Sequence, residues 1–540
     1  MGSTGTSVRS AAIGFTSVPP VGRGRRRWSG PASAAISLAA VLAPLAACGG
    51  SSTAASSPAG DVLTIAVPAA PPTLDPAKAH GHTSVFFNEL AYEPLIVLGN
   101  NGSYQPGLAT SWHYVGTGNT TFVLGLRSGV KFSDGSALTA QNVVDHFSYL
   151  KHAAGQQAPL FAGAAFTATG PLEVTIKAAK PNPDLVYDMT QDVMAGEVVS
   201  ENGINNPAEL GTRTFGAGPY ELAAAQTSPG SQYTYVPNTH YYDKSAQYWK
   251  KVVIKIIQSP QATLQSMLSG QVQIAIGDQT TVAQASKNGL THPSTTITEN
   301  VTGVTLADRG GVQSKPLSDV RVRQALNFAT DRKTIVKALF PGNQATDQMS
   351  VPAAQGYDAS NESLYPYDEA KARQLLSRAG YPNGFTLNLI TTDANSQSLF
   401  AQALAQQWRK VGVEVRIDDV SQGNAYVAQA LGAKAPAFTN NYAVLPIATE
   451  GPNLFLPEAA YNPFRYADPT LVHLYSQDVV ASGSAKSAMD KKIVTYLVNQ
   501  AWFVPVVAQQ LTFYTSSNVT GTMIPQNAAF LSLYNLRPAS

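Results

Sequence analysis

Apolar and polar positions follow two periods along the chain, and these predict strands and helices in alternation. Residues 62–67 are mostly apolar and end at Pro68, while Val272, Ile274 and Ile276 alternate with polar neighbours. Both patterns are typical of strands. Four more strands are predicted at residues 122–127, 173–177, 385–389 and 413–417.

Helices are predicted where apolar residues recur at every third or fourth position. Several of these patterns follow a residue whose side-chain oxygen can accept hydrogen bonds from the first helical turn. The predicted N-caps are Thr139, Asp319, Asp331 and Asp368. Glycines are predicted to end three helices, at Gly270, Gly380 and Gly412. Because helices and strands interleave and no repeat of 20–50 residues is evident, the predicted fold class is α/β.

Charged residues make up only 13% of the 540-residue chain, roughly half the usual fraction. Nucleic-acid-binding proteins need many Lys and Arg side chains on one surface to neutralise phosphates. The chain has too few charged residues for such a surface, and we expect no nucleic-acid partner. The net charge of +2 is also uneven, because residues 1–47 hold five arginines and no acid. The rest of the chain has 31 basic and 34 acidic residues, a net charge of −3. The basic character thus belongs to the N-terminal segment.

The N-terminal segment has the order of an export signal. The basic run Arg23–Arg27 is followed by an apolar stretch at residues 32–43 and by small residues before Cys48. The string Leu45-Ala46-Ala47-Cys48 resembles the lipobox of bacterial lipoproteins, which implies that Cys48 is acylated. We predict a signal peptide at 1–47, compatible with general secretory or twin-arginine export. A lipidated cysteine and flexible tether are predicted at 48–60, and they would anchor the exported protein to the outer face of the plasma membrane.

Cys48 is the only cysteine of the chain. This excludes an internal disulfide and any structural zinc site built from two or more thiolates.

An ordered set of short motifs resembles one family. The set comprises PTLDP at 72–76, YEPL at 92–95, PGLATSW at 106–112, LRSGVKFSDG at 126–135, GAGPY at 216–220, DVRVRQALN at 319–327 and YDEAKAR at 367–373. Together they resemble the family-5 extracellular solute-binding proteins of ABC importers, the peptide/nickel class. Each motif alone is weak, and the order of the whole set carries the resemblance.

The resemblance implies a two-lobe periplasmic-binding-protein fold (type II, cluster C) with an extra subdomain in the first lobe. The implied segments are lobe I at 61–94, 211–305 and 511–540, the extra subdomain at 95–210, and lobe II at 306–510. A monomer would hold a small-molecule or peptide solute in the interlobe cleft by hinge closure. It would then deliver the solute to permease subunits that work with a cytoplasmic ATPase. No cofactor, metal or catalytic residue is implied.

In peptide-binding relatives, an Asp in a Trp-x-x-Asp-Tyr-Pro-Asp-Pro stretch pairs with the α-ammonium of the peptide. The corresponding residues 437–452 contain neither Trp nor Asp. Because a buried cation needs an ionised partner, we expect a ligand without a free α-amine, or Glu450 in place of the missing Asp. Asn440, Asn441 and Tyr442 are candidate ligand-binding residues that would suit an amide-rich, blocked or sugar-like solute. Alternatively, they are loop residues outside the pocket.

Three further candidates follow the first motif. His80 and His82 are two residues apart at a position expected near the cleft. Two imidazoles form only part of a transition-metal site, and no metal is predicted. Phe86 is a candidate aromatic wall of the cleft, with core packing as the alternative.

Two other functions are weighed against solute import. An exported hydrolase is not favoured, because the chain has no Gly-x-Ser-x-Gly, His-Glu-x-x-His or P-loop string. Ser148 and Lys151 match Ser-x-x-Lys, but the strings that accompany it in penicillin-interacting enzymes are missing. A surface solute sensor would have the same fold as an importer component.

Overall fold

A computed structural model describes residues 61–539, with gaps at 80, 100, 154, 292–295, 353, 393–396, 421–422, 523 and 525–530. The predicted signal peptide, Cys48 and the tether lie outside the described residues. The strands are β1 (Val62–Val67), β2 (Ile96–Leu98), β3 (Tyr104–Pro106), β4 (Ala109–Tyr114), β5 (Thr121–Leu126), β6 (Ala165–Gly170), β7 (Glu173–Lys177), β8 (Tyr220–Leu222), β9 (Gln232–Pro237), β10 (Lys251–Ile256), β11 (Ile274–Ile276), β12 (Thr296–Leu306), β13 (Gln344–Ala345), β14 (Phe385–Thr391), β15 (Val413–Asp419), β16 (Ala437–Ala443), β17 (Phe503–Thr515), β18 (Val519–Thr520) and β19 (Arg537–Pro538).

The α-helices interleave with these strands, as predicted. They are α1 (Gly81–Asn88), α2 (Ala140–His152), α3 (Leu185–Asp188), α4 (Glu201–Asn205), α5 (Pro260–Leu268), α6 (Val282–Lys287), α7 (Val320–Phe328), α8 (Arg332–Leu339), α9 (Glu369–Arg378), α10 (Gln397–Arg409), α11 (Gly423–Leu431), α12 (Ile447–Glu450), α13 (Pro469–Asp478) and α14 (Gly483–Asn499). Among the described residues, no helix is both long and apolar enough to span a bilayer.

The predicted helix ends are confirmed. The side chains of Thr139, Asp319, Asp331 and Asp368 each accept a hydrogen bond from a backbone N–H of the first turn. Three glycines that end helices have left-handed backbone, with φ of 74° at Gly270, 93° at Gly380 and 90° at Gly412. A side chain at these positions would strain the backbone, so glycine favours the chain reversal there.

One mixed sheet runs through the molecule in the order β15-β14-β16-β12-β17-β11-β1-β10-β9-β8, with β13 on the side of β17. Strand β17 joins its two halves. Its first part pairs with β12, where Phe503 lies opposite Thr305, and its last part pairs with β11, where Thr515 lies opposite Ile274. Each half has its own buried core, one around Trp408 and the other around Tyr92.

A second, four-stranded antiparallel sheet has the order β4-β5-β7-β6. Helix α2 packs on it, and the ring of Phe147 stacks on that of Phe166 with centroids 5.1 Å apart. All of these elements fall within 95–210, the range predicted for the extra subdomain. This sheet has a separate core, and segments that flank its strands supply one wall of the cavity described below.

Strand β12 lies where the predicted first lobe ends. It pairs with β16 and with β17 along Thr296–Leu306, so it belongs to the half of the sheet that contains β14 and β15. The predicted division at 306 falls at the C-terminal end of this strand. The lobe bounds stay a prediction.

Candidate functional site

A cavity of about 550 Å³ lies between the region of the four-stranded sheet and the β16 half of the main sheet. One wall is built by residues of the segment 156–194, and the other by residues of the segment 440–461. The lining residues are Gln156, Gln157, Leu160, Tyr187, Asp188, Asp192, Val193, Met194, Asn440, Asn441, Tyr442, Ala443, Val444, Leu445, Pro446, Thr449, Asn453, Leu454 and Tyr461. A solute in this cavity would contact both parts of the molecule.

The second wall contains the predicted stretch at the end of β16. Asn441 Oδ1 accepts a hydrogen bond from the hydroxyl of Thr302 at 2.9 Å, and Asn440 Oδ1 accepts one from the backbone N–H of Asn441 at 2.9 Å. The hydroxyl of Tyr442 is hydrogen-bonded to that of Thr305, and its ring packs edge-on against Phe503 at 5.3 Å. The three predicted side chains therefore lie at the cavity in fixed positions, while their contact with a solute stays a prediction.

The first wall was not predicted from the sequence. Helix α3 ends with Tyr187 and Asp188, and Asp192 lies in the turn that follows. The Tyr187 hydroxyl donates to Asp192 Oδ2 at 3.3 Å, and the side-chain amide of Asn182 donates to Asp188 Oδ2 at 3.0 Å. Burial, together with the negative charge of Asp184, raises the pKa of Asp188 to about 8.

Two other residues of the first wall are unusual. Gln157 is only 3% exposed, and its Nε2 donates to the carbonyl oxygen of Val193 at 3.0 Å. Its Oε1 is buried without a hydrogen-bond partner among the described residues. Met194 has a left-handed backbone with φ of 64°, which costs energy for a residue with a long side chain. Such features concentrate at binding sites, where the surrounding structure holds them in place.

Glu450, a predicted ligand-binding residue, is not among the described residues that line this cavity. Glu450 is 6% exposed and lines a separate cavity of about 20 Å³ with Asp347 and Val494. Its Oε1 accepts a hydrogen bond from the backbone N–H of Leu445 at 3.3 Å, and burial raises the pKa of Glu450 to about 8. A buried acid that accepts from the wall loop supports that loop from behind, instead of facing a solute.

Of the three candidates near the first motif, Phe86 is the one whose side chain the structure describes, and it does not line the cavity. Phe86 is 1% exposed in the hydrophobic core, and its ring lies 5.9 Å from that of Phe513. Core packing, the alternative interpretation, therefore describes Phe86, because an apolar ring gains most when it is removed from water. His80 lies outside the described residues, and His82 lies in α1. Among the described residues, no group of three His, Cys, Asp or Glu is placed to hold a metal ion.

A second cavity of about 410 Å³ is lined by residues of 330–367 together with Ala508. Its buried charges are already paired within the protein, since Arg332 Nε lies 2.8 Å from Asp347 Oδ1. All of its lining belongs to one half of the main sheet. A solute there would not join the two parts of the molecule, so the cavity between 156–194 and 440–461 is the better candidate.

A family model matches well over half of the chain. The model describes the bacterial extracellular solute-binding proteins, family 5, and it covers residues 103–455. Glutathione-binding protein GsiB of Escherichia coli K12 is 26% identical over 484 residues, which cover 85% of this chain and 91% of GsiB. The nickel-binding periplasmic protein of the same strain is 26% identical over 493 residues, which cover 83% of this chain and 89% of that protein.

Solved structures show the same fold. HbpA2 from Haemophilus parasuis superposes with a TM-score of 0.77 at 18% identity, covering 89% of this chain and 100% of HbpA2. DppA from Helicobacter pylori in complex with the peptide STSA gives a TM-score of 0.68 at 19% identity, covering 89% of this chain and 98% of DppA. These likenesses confirm the predicted two-lobe α/β fold.

Proposed function

Because the chain belongs to the bacterial extracellular solute-binding proteins of family 5, we propose that it captures a peptide-like or other small polar solute in the cavity between 156–194 and 440–461. It is a solute-binding component of an ABC importer and not an enzyme. The single observation that carries the proposed site is that its two walls come from different parts of the molecule, the segment 156–194 of the region around the four-stranded sheet and the segment 440–461 beside the main sheet. A solute held by both walls would stabilise the closed arrangement that is presented to the permease.

Direct hydrogen bonds between the two parts of the molecule support this mechanism. Asn119, next to β5, donates from Nδ2 to the carbonyl oxygens of Val479 and Ala481, each at 3.0 Å. These contacts tie the four-stranded subdomain to the turn between α13 and α14. They are present only when the two parts are close together, so they add to closure without occupying the cavity.

Gln355 forms a second connection. Its Nε2 donates to Asp184 Oδ1 at 3.4 Å, and its Oε1 accepts from the backbone N–H of Ile447 at 3.4 Å. Asp184 adjoins the first wall and Ile447 adjoins the second. One neutral side chain therefore bridges the segments that carry the two walls.

The cavity is built for a polar solute of modest size. The side-chain amides of Asn440 and Asn441 offer hydrogen bonds, while Tyr461, Leu160 and Leu454 offer apolar surface. This combination of an apolar lining with few fixed polar groups is typical of small-molecule sites. Amide groups of a peptide-like solute would pair with the asparagines.

We also propose that the mature protein stays at the membrane through lipid on Cys48. The Gly/Ser/Ala-rich residues 49–60 would act as a flexible tether between the lipid and the first strand. This arrangement would hold the binding protein near a permease. It also accounts for the single cysteine of the chain.

Native mass spectrometry of the purified mature protein tests the proposed function, because it would identify the solute carried through purification. Calorimetry with that solute, and with unmodified and N-acetylated di- to pentapeptides, then compares the wild type with Asn441→Ala. We expect the substitution to weaken binding about tenfold, a typical loss for a desolvated hydrogen-bonding group. The exposed Asn206, substituted by Ala, is the matched control. Unchanged affinity in Asn441→Ala, or binding of no polar solute by the wild type, would contradict the proposal.

A further inference from the structure

Buried charges meet where the region of the four-stranded sheet contacts α13 and α14. Asp184, directly before α3, is 5% exposed, and its Oδ2 has no hydrogen-bond partner among the described residues. Asp478 ends α13 and is fully buried, while Lys486 and Asp490 of α14 are nearly so. Acids and lysines are rarely buried to this degree. The four residues form a charged cluster that draws on both parts of the molecule.

A chain of hydrogen bonds places Asp184 at this contact. The backbone N–H of Asp184 donates to Asn182 Oδ1 at 2.9 Å, and the backbone N–H of Asn182 donates to the carbonyl oxygen of Asn119 at 2.9 Å. Asn119 donates in turn to the carbonyl oxygen of Val479, the residue after α13, at 3.0 Å. Gln355 Nε2 reaches Asp184 Oδ1 from the opposite part at 3.4 Å. The Asp184 carboxylate thus comes from one part and faces groups of the other.

The cluster holds more acids than its cation can neutralise. Lys486 Nζ lies 3.1 Å from Asp478 Oδ2 and also contacts Asp490 Oδ1. Burial acts to lower the pKa of Lys486, but the three carboxylates raise it above its ordinary value on balance, so the ammonium group stays charged. Three ionised carboxylates and one ammonium would carry a net charge of −2 away from water. Because buried like charges repel, the cluster favours a neutral form of one acid.

The surroundings of Asp184 do not compensate its charge. Burial raises the pKa of Asp184 and Asp490 adds to the effect, while Lys486 is the one cation among the described residues whose charge opposes it. The other titratable groups nearby are acids or phenols whose pKa values burial also raises, namely Tyr104, Tyr114 and Asp188 on the side of Asp184, Tyr475 of α13, and Glu450 beside Asp490. None of these groups becomes positive at any pH, so an ionised Asp184 is disfavoured in the closed arrangement.

We propose that closure of the two parts is a proton-dependent switch, in which Asp184 takes up a proton from solvent as it enters the cluster of Asp478, Lys486 and Asp490. The switch goes beyond solute capture, and it rests on the proposed function only for the opening and closing of the two parts. When the parts separate, water replaces the groups of α14 around Asp184, and the carboxyl ionises as an ordinary aspartate does.

The direction of the pH effect follows from the raised pKa. The stabilisation of the closed arrangement is fully present below the ordinary aspartate value of 3.8, and it is lost as the pH rises through the higher pKa that Asp184 has in the closed protein. An acidic exterior therefore favours closure, and a rise in pH favours opening.

Distance measurements on the protein without solute test the switch. Spin labels on Val115→Cys and Val480→Cys, both at exposed sites, in a Cys48→Ser background report the separation of the two parts from pH 4.5 to pH 8. Asp184→Asn keeps the shape of the side chain and an acceptor oxygen but cannot ionise. Glu201→Gln, at an exposed acid of α4, is the matched control.

Linkage changes the closed-to-open ratio by up to about tenfold for each unit by which closure raises a pKa. We expect this ratio to fall about fivefold from pH 4.5 to pH 8 in the wild type and in Glu201→Gln, and less than about twofold in Asp184→Asn. A wild-type distance distribution that does not depend on pH, or a pH dependence that persists in Asp184→Asn, would overturn the inference.

Asp490→Asn is a second, independent test, which also serves if Asp184→Asn does not fold. It removes one carboxylate that competes for Lys486, so we expect the midpoint of opening to move to a higher pH, and an unchanged or lower midpoint would overturn the inference. Thermal melting curves at pH 4.5 and pH 8 verify that each protein is folded. Because no solute is present, failure of the switch leaves the proposed solute capture to its own test by native mass spectrometry.

Discussion

The Thr302 hydroxyl donates a hydrogen bond to Oδ1 of Asn441 at 2.9 Å, from β12 to the neighbouring strand β16. Thr302 is 1% exposed and Asn441 is half-buried, so the bond is partly shielded from water. It holds the Asn441 amide at the edge of the candidate cavity. This candidate binding side chain is therefore positioned by a residue of the neighbouring strand in the same half of the sheet.

We predict that Thr302→Val weakens solute binding about fivefold, because the Asn441 amide is then free to rotate and its oxygen is left without this donor. The loss corresponds to about 1 kcal/mol, the usual net value of one hydrogen bond. Calorimetry with the solute found by native mass spectrometry measures it. Thr298→Val, on the same strand, is the control and should bind as the wild type does. If Thr302→Val binds the solute as tightly as the wild type does, the hydrogen bond from Thr302 is not needed to position the Asn441 amide for binding.

Phe86→Ala should affect stability and not solute recognition. Phe86 is fully buried against Phe513, and deletion of a buried aromatic ring costs about 3–5 kcal/mol of unfolding free energy. Chemical denaturation measures this loss, and calorimetry at low temperature measures binding by the folded protein. If Phe86→Ala instead lowered the affinity for the solute and left the unfolding free energy unchanged, Phe86 would be a ligand-binding residue of the cleft and not a core residue.

Glu450 should make the protein less stable as the pH rises. Burial raises the pKa of Glu450 to about 8 in the folded protein, above the ordinary value of 4.5. Its contribution to stability is fully present below pH 4.5 and is lost progressively up to about pH 8, because only the unfolded chain releases the proton easily. Denaturation at pH 5 and pH 8 should therefore show a larger decrease for the wild type than for Glu450→Gln. The exposed Glu458, substituted by Gln, should behave like the wild type, and an equal decrease in Glu450→Gln would contradict this account.

Asn119→Gly should favour an open arrangement. The change removes both hydrogen bonds to Val479 and Ala481 while suiting the left-handed backbone at this position, where φ is 50°. Spin labels on Val115→Cys and Val480→Cys, in a Cys48→Ser background without other cysteines, report the separation of these exposed sites. We expect a longer mean distance in the Asn119→Gly protein without solute, and a return toward the wild-type distance with solute. Identical distributions would show that the Asn119 contacts do not hold the two parts together.

Cys48→Ser should release the exported protein from membranes, since the thiol is the proposed site of lipid attachment. Fractionation of cells should find the wild type with the membrane and the variant in the soluble exported fraction. Ser51→Ala, in the proposed tether, is the control. Membrane association that survives Cys48→Ser would exclude lipid on this residue as the anchor.

Local features of the fold could be predicted well from the sequence. The caps at Thr139 and Asp368 and the glycine that ends α9 depend on a few neighbouring residues, which the sequence displays directly. The place of Asn440 and Asn441 at the cavity could be predicted because the family resemblance located the stretch that contains them.

The first wall could not be predicted, because its position depends on contacts between distant segments. Asp188 and Asp192 lie on a one-turn helix and the turn after it, too short for any periodic pattern. For the same reason, the sequence did not show that Glu450 would lie outside the lining of this cavity. It is next to Thr449, which lines the cavity, but the helical turn directs the two side chains to different cavities.

Hydrogen–deuterium exchange of the mature protein, with and without the solute found by native mass spectrometry, tests the central claim most directly. A solute held between the two walls should slow exchange both at 187–194 and at 440–446, while residues 357–367 of the second cavity exchange as before. Protection at 357–367 without protection of the two walls would contradict the assignment of the site.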